Sequence, residues 1–131
     1  MPSIADAGYL IAYWSENDVH HDWARSLNVQ TPIITCDAVI TEVAYLTGAT
    51  ELLLEMILEG DLEVRFDIAE HGRDVLRWLE KFHDLSPGYA DACVVKLGEI
   101  YPSYDILTTD ARHFRAYRTL SGKPLRCIFP E

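Results

Sequence analysis

Four acidic residues stand where a carboxylate is unusual, and together they could do chemistry. Asp6 closes a short apolar run, and Asp110 comes just after a second such run. Glu42 and Asp91 lie in segments with helical spacing, where most neighbours three and four positions away are apolar. A buried carboxylate is costly unless it is paired, protonated or bound to a metal ion. These four side chains are therefore the first candidates for a functional site.

A pocket of several carboxylates either shifts their pKa values or binds hard cations, because like charges repel each other. Ligand sets made only of oxygen favour Mg²⁺ or Mn²⁺, whereas zinc prefers His and Cys. Magnesium keeps several waters and is often completed by phosphate oxygens of a substrate. Attack of a water molecule on a phosphate ester is the chemistry that such a site suits.

Each acid also has a simpler explanation when it is taken alone. Asp6 directly precedes a helical segment, so its carboxylate could cap that helix. Glu42 could occupy a partly exposed position at a rim. Two strand-end acids combined with two acids on inward helix faces are harder to explain as caps and surface charges.

The elements that must position these acids alternate along the chain. Apolar runs and spacings predict strands over residues 3–6, 32–35, 62–66, 106–108 and 125–129, and helices over residues 7–14, 19–28, 51–58, 70–83, 89–101 and 111–117. A further helix follows Asp37 as its N-cap, reaches Thr47 and stops at Gly48. This order predicts a parallel sheet with helices on both faces. Such sheets bind ligands beyond the carboxyl ends of their strands, where Asp6 and Asp110 fall.

Composition narrows the class of protein. The 131 residues suit one domain over 1–131, and the 49% hydrophobic content excludes intrinsic disorder. Twenty-one Asp and Glu against eleven Lys and Arg give a net charge of −10, which argues against a protein that coats nucleic acid through a basic groove.

Location can be predicted from two absences in the sequence. No apolar stretch reaches the length of a membrane span, and the amino terminus does not resemble a signal peptide. Cys36, Cys93 and Cys127 are widely spaced and form no Cys-x-x-Cys pair, so we expect buried thiols in a reducing cytoplasm.

Four segments resemble, in order, the motifs of the PIN-domain ribonucleases. They read Asp-Ala-Gly-Tyr-Leu-Ile-Ala at 6–12, Val-Ile-Thr-Glu-Val at 39–43, Tyr-Ala-Asp-Ala at 89–92 and Ile-Leu-Thr-Thr-Asp-Ala-Arg-His-Phe at 106–114. The subgroup that the chain resembles most is the VapC-type toxins of bacterial and archaeal toxin–antitoxin pairs, over nearly the whole chain. One departure is Ala7, because members of the family often carry Ser or Thr directly after the first acid.

The resemblance implies a fold and an activity. The fold would be a PIN-like three-layer α/β sandwich with a central five-stranded parallel sheet flanked by helices. The activity would be that of an endoribonuclease that depends on Mg²⁺ or Mn²⁺ and leaves 5′-phosphate and 3′-hydroxyl ends. The partners would be an RNA substrate, a second copy of the chain in a homodimer, and a protein antitoxin.

The same resemblance implies roles for five residues. Asp6 and Asp91 would be the principal metal ligands, and Asp110 would be a further ligand or act through water. Glu42 would hold or polarise the attacking water. Thr108 would support the metal or the phosphate with its hydroxyl, although it also fits an ordinary strand residue.

Several further residues have both a functional and a structural explanation. Arg112, Arg115 and Arg118 could form a basic edge for RNA phosphates or an ordinary solvated helix face. His113 could touch substrate or lie on the surface, while His20 and His21 are better explained as surface residues. Apolar side chains could form the core or a partner surface, namely Tyr9, Tyr13, Trp14, Trp23, Leu52, Leu53 and Met56.

Three rival functions remain open at this point. The first is a free-standing PIN nuclease in RNA processing. The second is a signalling receiver domain, which needs an acidic pair after its first strand and a phosphorylatable Asp after a middle strand; Asp6 and Asp37 match this pattern poorly. The third is a catalytically silent PIN fold used as a binding module, which Ala7 favours and the four acids oppose.

Overall fold

The computed structural model describes residues 1–131, and one or two helices separate each strand from the next. The strands are β1 (Ser3–Ala5), β2 (Ile33–Thr35), β3 (Leu62–Val64), β4 (Asp105–Leu107) and β5 (Cys127–Ile128). The helices are α1 (Ala7–Trp14), α2 (His21–Ser26), α3 (Asp37–Thr47), α4 (Thr50–Glu59), α5 (Ile68–Lys81), α6 (Tyr89–Ile100) and α7 (Ala111–Ala116), with a 3₁₀ turn at His83–Leu85. The longest helix has 14 residues, and none has both the length and the apolar character needed to cross a membrane.

The strands form one all-parallel sheet in the order β3-β2-β1-β4-β5. The chain builds outward from β1 to β3 and then returns to the other side of β1 for β4 and β5. The pair β1–β4 is therefore the point where the direction of winding reverses, and ligands bind beyond the carboxyl ends at such a point. This arrangement confirms the predicted α/β, PIN-like fold with a central five-stranded parallel sheet.

The register of β1 and β4 places the ends of the two strands side by side. Ile4 pairs with Ile106, and Ala5 pairs with Leu107. The backbone N–H of Asp6 donates to the carbonyl of Leu107 at 3.0 Å, which extends the pairing one residue beyond β1. Residues 6 and 108 consequently leave the sheet next to each other.

A buried aromatic cluster anchors the carboxyl-terminal part of the chain. Trp78 on α5 meets the ring of Tyr117 edge to face, with centroids 5.0 Å apart, and Phe114 meets the same ring at 5.1 Å. The indole Nε1 of Trp78 donates to the carbonyl of Arg118 at 2.8 Å. These contacts fix the segment after α7 against α5, since edge-to-face aromatic pairs and satisfied indole groups favour one geometry.

Most predicted elements differ from the structure by one or two residues at an end, and the second helix differs most. The helix predicted over 19–28 is shorter, since α2 covers only His21–Ser26. The Asp18 carboxylate accepts the backbone N–H of His20 at 2.8 Å, and this local turn delays the start of the helix.

The predicted N-cap of α3 is also wrong by one residue. Asp37 is the first helical residue, and Cys36 occupies the N-cap with extended backbone angles and no side-chain cap. The predicted stop at Gly48 is confirmed, because this glycine has a φ of 72°, which favours residues without a Cβ.

Helix α1 approaches the loop after β4 so closely at Gly8 that a side chain would not fit. A Cβ placed on Gly8 would overlap the Thr109 hydroxyl and lie 3.3 Å from the Thr109 Cβ. Gly8 therefore brings the start of α1 next to the segment that carries Asp110.

We expect Gly8→Ala to destabilise the protein by about 1–2 kcal/mol, because the methyl group would be forced against Thr109. Urea unfolding measures this cost. Gly72→Ala on α5 is the matched control, since a Cβ there meets nothing within 4 Å and should stabilise the helix by about 0.5–1 kcal/mol. The cost at Gly8 should largely vanish in a Thr109→Ala background, and an equal cost in both backgrounds would refute the proposed contact.

Candidate active site

Asp6 is held by a hydrogen bond from the neighbouring strand rather than by its own helix. It follows β1, is 7% exposed, and makes no side-chain cap to α1. The Thr108 hydroxyl donates to Asp6 Oδ2 at 2.7 Å. Burial raises the pKa of Asp6 to about 6, against the lowering effect of the Thr108 hydrogen bond and with a further rise from the charge of Asp91. A simple helix cap therefore does not account for this residue.

Thr108 is a positioning residue that serves two acids at once. Its side chain is fully buried; its hydroxyl donates to Asp6 and accepts the backbone N–H of Asp110 at 3.1 Å. Both hydrogen bonds link the segment after β4 to the acids, and the predicted support of a metal or phosphate by this hydroxyl stays a prediction. Residue 7, where the family often has Ser or Thr, is a buried Ala7 here. The hydroxyl that donates to Asp6 belongs to Thr108, directly after β4.

Asp91 lies in the first turn of α6 and is half-buried, as the pattern of its helix predicts. The hydroxyl of Tyr117 donates to Asp91 Oδ2 at 2.7 Å. Burial raises the pKa of Asp91, the Tyr117 hydrogen bond opposes this rise, and the charge of Asp110 adds to it. The spacing of the sequence does not point to Tyr117, because its ring reaches Asp91 only through the packing of Trp78 and Phe114.

Asp110 has a defined set of partners at the start of α7. Its Oδ1 accepts the backbone N–H of His113 at 3.2 Å, which makes it the N-cap of this helix. The His113 Nδ1 lies 3.0 Å from both carboxylate oxygens. His113, which the sequence left open, therefore pairs with Asp110.

Glu42 is not on an inward helix face, so that expectation was wrong and the rim alternative is correct. It is exposed on α3, and the same face carries Tyr45, which is 87% exposed. Apolar neighbours at helical spacing gave a misleading pattern, since this helix leaves part of its apolar surface uncovered. Partial burial and the charge of Asp91 nevertheless raise the pKa of Glu42.

The four acids lie beyond the carboxyl ends of the strands, and their charges affect the pKa values of neighbouring acids. The charges of Asp91 and Glu42 raise the pKa of Asp6, Asp91 does the same for Glu42, and Asp110 does so for Asp91. No three acidic, His or Cys side chains are already arranged to enclose a metal ion. The donor set nevertheless fits Mg²⁺ or Mn²⁺, since magnesium typically uses one or two carboxylates and completes its shell with waters and substrate oxygens.

The three arginines do not form a continuous helical edge. Helix α7 ends at Ala116, and the Arg118 side chain turns back to donate to the carbonyls of Arg115 and Tyr117. The guanidinium of Arg115 lies over the ring of Phe129 at 5.1 Å. Arg112 is exposed and makes no such contact, so it is the arginine free to meet an anion.

The amino-terminal aromatic and histidine residues have structural roles. Tyr9 is buried and meets Trp23 edge to face at 5.9 Å. The His21 Nδ1 lies 2.7 Å from the carbonyl of Ala12 and joins α2 to α1. The structure thus supports the core explanation for Tyr9, whereas His21, expected on the surface, is half-buried between α1 and α2.

Comparison with known proteins is consistent with this geometry. No family model matches the chain. The curated protein Ribonuclease VapC26 of Mycobacterium tuberculosis is 28% identical over 127 residues, which is 91% of this chain and 94% of that protein. This near full-length match, combined with a parallel sheet of order 3-2-1-4-5, shows distant homology of the chain to Ribonuclease VapC26.

Proposed function

We propose that the chain is a metal-dependent endoribonuclease that hydrolyses RNA phosphodiester bonds, and that it is the toxin of a toxin–antitoxin pair. The observation that carries the proposal is the cluster of four carboxylates near the point where the sheet reverses direction, whose charges raise the pKa values of Asp6, Glu42 and Asp91. The distant homology to a VapC ribonuclease supports the same class of reaction.

The four acids have different roles in the proposed site. Asp6 and Asp91 would hold Mg²⁺ or Mn²⁺, with Asp110 as a further or water-mediated ligand. The metal would activate a water and neutralise charge on the phosphate. Glu42, exposed at the rim, would orient and accept a proton from that water. Thr108 fixes the orientation of Asp6.

Surface properties support the proposed partners and location. Exposed apolar side chains on α3 and α4 offer area for a protein antitoxin or a second copy of the chain, namely Leu46, Leu54 and Leu58. The net charge of −10 suits an antitoxin with basic segments. Three free thiols fit the proposed cytoplasmic location.

We expect cleavage of structured RNA by the partner-free chain in Mg²⁺ and its loss in chelator. Asp6→Asn and Asp91→Asn should each lower the cleavage rate by about 100-fold or more, because each removes a charged ligand from the metal site. Glu42→Gln should be slowed less. Gel analysis of end-labelled RNA measures all three.

The control for these variants is Glu55→Gln on α4, which removes one exposed carboxylate far from the cluster in sequence and should leave cleavage unchanged. Cleavage that survives both Asp substitutions or is unaffected by chelator would contradict the proposed site.

Expression of the wild type should arrest growth, and expression of the two inactive variants should not. Cleavage without growth arrest would instead indicate a nuclease of RNA processing.

We expect Asp6→Asn to stabilise the metal-free protein at pH 7.5 by about 3 kcal/mol. The pKa of Asp6 in the folded protein, about 6, is above its ordinary value of 3.8, so ionisation opposes folding at neutral pH. This cost declines as the pH falls from about 6 towards 3.8, and the two proteins should converge near pH 4. Thermal unfolding in chelator measures the difference.

The control for this measurement is Asp74→Asn, whose carboxylate pairs with Lys96 at 2.8 Å and has a lowered pKa. It should not stabilise the protein at pH 7.5. Mg²⁺ should raise the melting temperature of the wild type more than that of Asp6→Asn. If Asp6→Asn is as much more stable than the wild type at pH 4 as at pH 7.5, then ionisation of Asp6 is not what destabilises the wild type.

We expect Tyr117→Phe to fold normally but to shift the acid limb of the cleavage profile to higher pH. The Tyr117 hydroxyl lowers the pKa of Asp91, so its loss should raise the pH at which Asp91 becomes ionised. Rates measured from pH 5 to 9 test this effect. A profile that is lower at every pH but not displaced would show that Tyr117 has only a packing role.

A further inference from the structure

An open cleft of about 700 Å³ continues outward from two of the carboxylates. One wall is the exposed face of α3, and the other is the first turn of α6 with the residue before it. Its polar and aromatic lining includes Glu42, Asp91, Thr41, Tyr45 and Tyr89. The cleft therefore lies where the part of a substrate next to Glu42 and Asp91 would rest.

Two tyrosines in the cleft differ from the other five of the chain. Tyr45 is 87% exposed and Tyr89 is 51% exposed. Neither ring packs on another ring, whereas each remaining tyrosine has an aromatic neighbour within the fold, namely Tyr9, Tyr13, Tyr101, Tyr104 and Tyr117. Their exposed faces have no structural partner in this chain.

Both rings lie close to the acids along their own helices. Tyr45 is three residues after Glu42, a rise of about 4.5 Å on the same helix face. Tyr89 is two residues before Asp91 in the first turn of α6. Both tyrosines therefore line the same cleft as Glu42 and Asp91.

The charge of the cleft favours bases over phosphates. Asp37, Glu42 and Asp91 line it, and no Lys or Arg does. The acidic walls would repel the phosphates of a nucleic acid except where a cation intervenes. An uncharged nucleobase has no such penalty, and every base can stack on an aromatic ring.

We propose that Tyr45 and Tyr89 stack against unpaired nucleobases next to the bond that is cut, and so set how tightly the chain binds RNA at those positions. This inference rests on the proposed ribonuclease function. The bases of a continuous duplex are stacked on each other and paired, so they cannot be splayed onto these rings without disrupting the helix.

The test measures base stacking separately from cleavage. Short single-stranded RNAs carry 2-aminopurine at one position in turn, and a second set carries an abasic nucleotide at the same positions. Both are titrated in Mg²⁺ with Asp6→Asn protein, which we expect to bind without turnover. Stacking on a tyrosine quenches 2-aminopurine emission and makes the base-bearing RNA bind more tightly than the abasic RNA.

In that background, Tyr45→Ala and Tyr89→Ala should each weaken binding of the base-bearing RNA about tenfold, and the double substitution should abolish the advantage over abasic RNA. Tyr45→Phe should bind as the parent does, since it keeps the ring. Val19→Ala and Leu76→Ala are matched controls, because these side chains are 88% and 59% exposed but lie outside the cleft. In the active protein, the tyrosine variants should raise KM more than they lower kcat.

Equal affinity for base-bearing and abasic RNA would overturn the proposal, as would a Leu76→Ala effect as large as that of Tyr45→Ala. Tyrosine variants that bind RNA normally but dissociate a dimer in sedimentation would show that the cleft is a protein interface. If the wild type quenches 2-aminopurine but does not cleave RNA, the ribonuclease function is refuted and the stacking proposal stands. If the wild type cleaves RNA and substitution of either tyrosine has no effect, the stacking proposal is refuted and the ribonuclease function stands.

Discussion

The hydrogen bond from the Thr108 hydroxyl to Asp6 joins the two strands at which the sheet reverses direction, and the arrangement of the site follows from it. Asp6 is almost completely buried, so its carboxylate requires a donor if it is to be ionised there. The same hydroxyl accepts the backbone N–H of Asp110. One buried side chain therefore sets the relative position of two acids that come from opposite ends of the chain.

A second constraint reaches the site from the hydrophobic core. The Tyr117 ring is fixed by Trp78 and Phe114, and its hydroxyl meets Asp91. Core packing therefore determines where the carboxylate of α6 lies. Burial raises the pKa of Asp6 and the charges of Asp91 and Glu42 add to the rise, so an ionised Asp6 opposes folding of the metal-free chain, and a bound cation would offset that cost. The carboxylates proposed to bind the cation therefore lower the stability of the metal-free chain.

Most of the fold could be predicted because its determinants are local. Apolar runs marked all five strands, helical spacing marked the helices, and Gly48 ended α3 as expected. The errors have physical causes. A side-chain turn at Asp18 shortened α2, and an apolar pattern suggested burial for Glu42 on a helix whose outer face the fold leaves uncovered. Periodicity indicates which face of a helix is apolar, but not whether another element covers that face.

The sequence alone was enough to predict the order of the elements, the parallel sheet, and the four acids as candidates, since spacing and turn residues express short-range preferences. It could not reveal the partners that hold those acids. Thr108 is 102 residues from Asp6, and Tyr117 is 26 residues from Asp91. Such contacts depend on strand register and on the packing of helices against the sheet. Only the tertiary structure decides them, because a buried hydrogen bond requires both groups to meet within about 3 Å and in a defined direction.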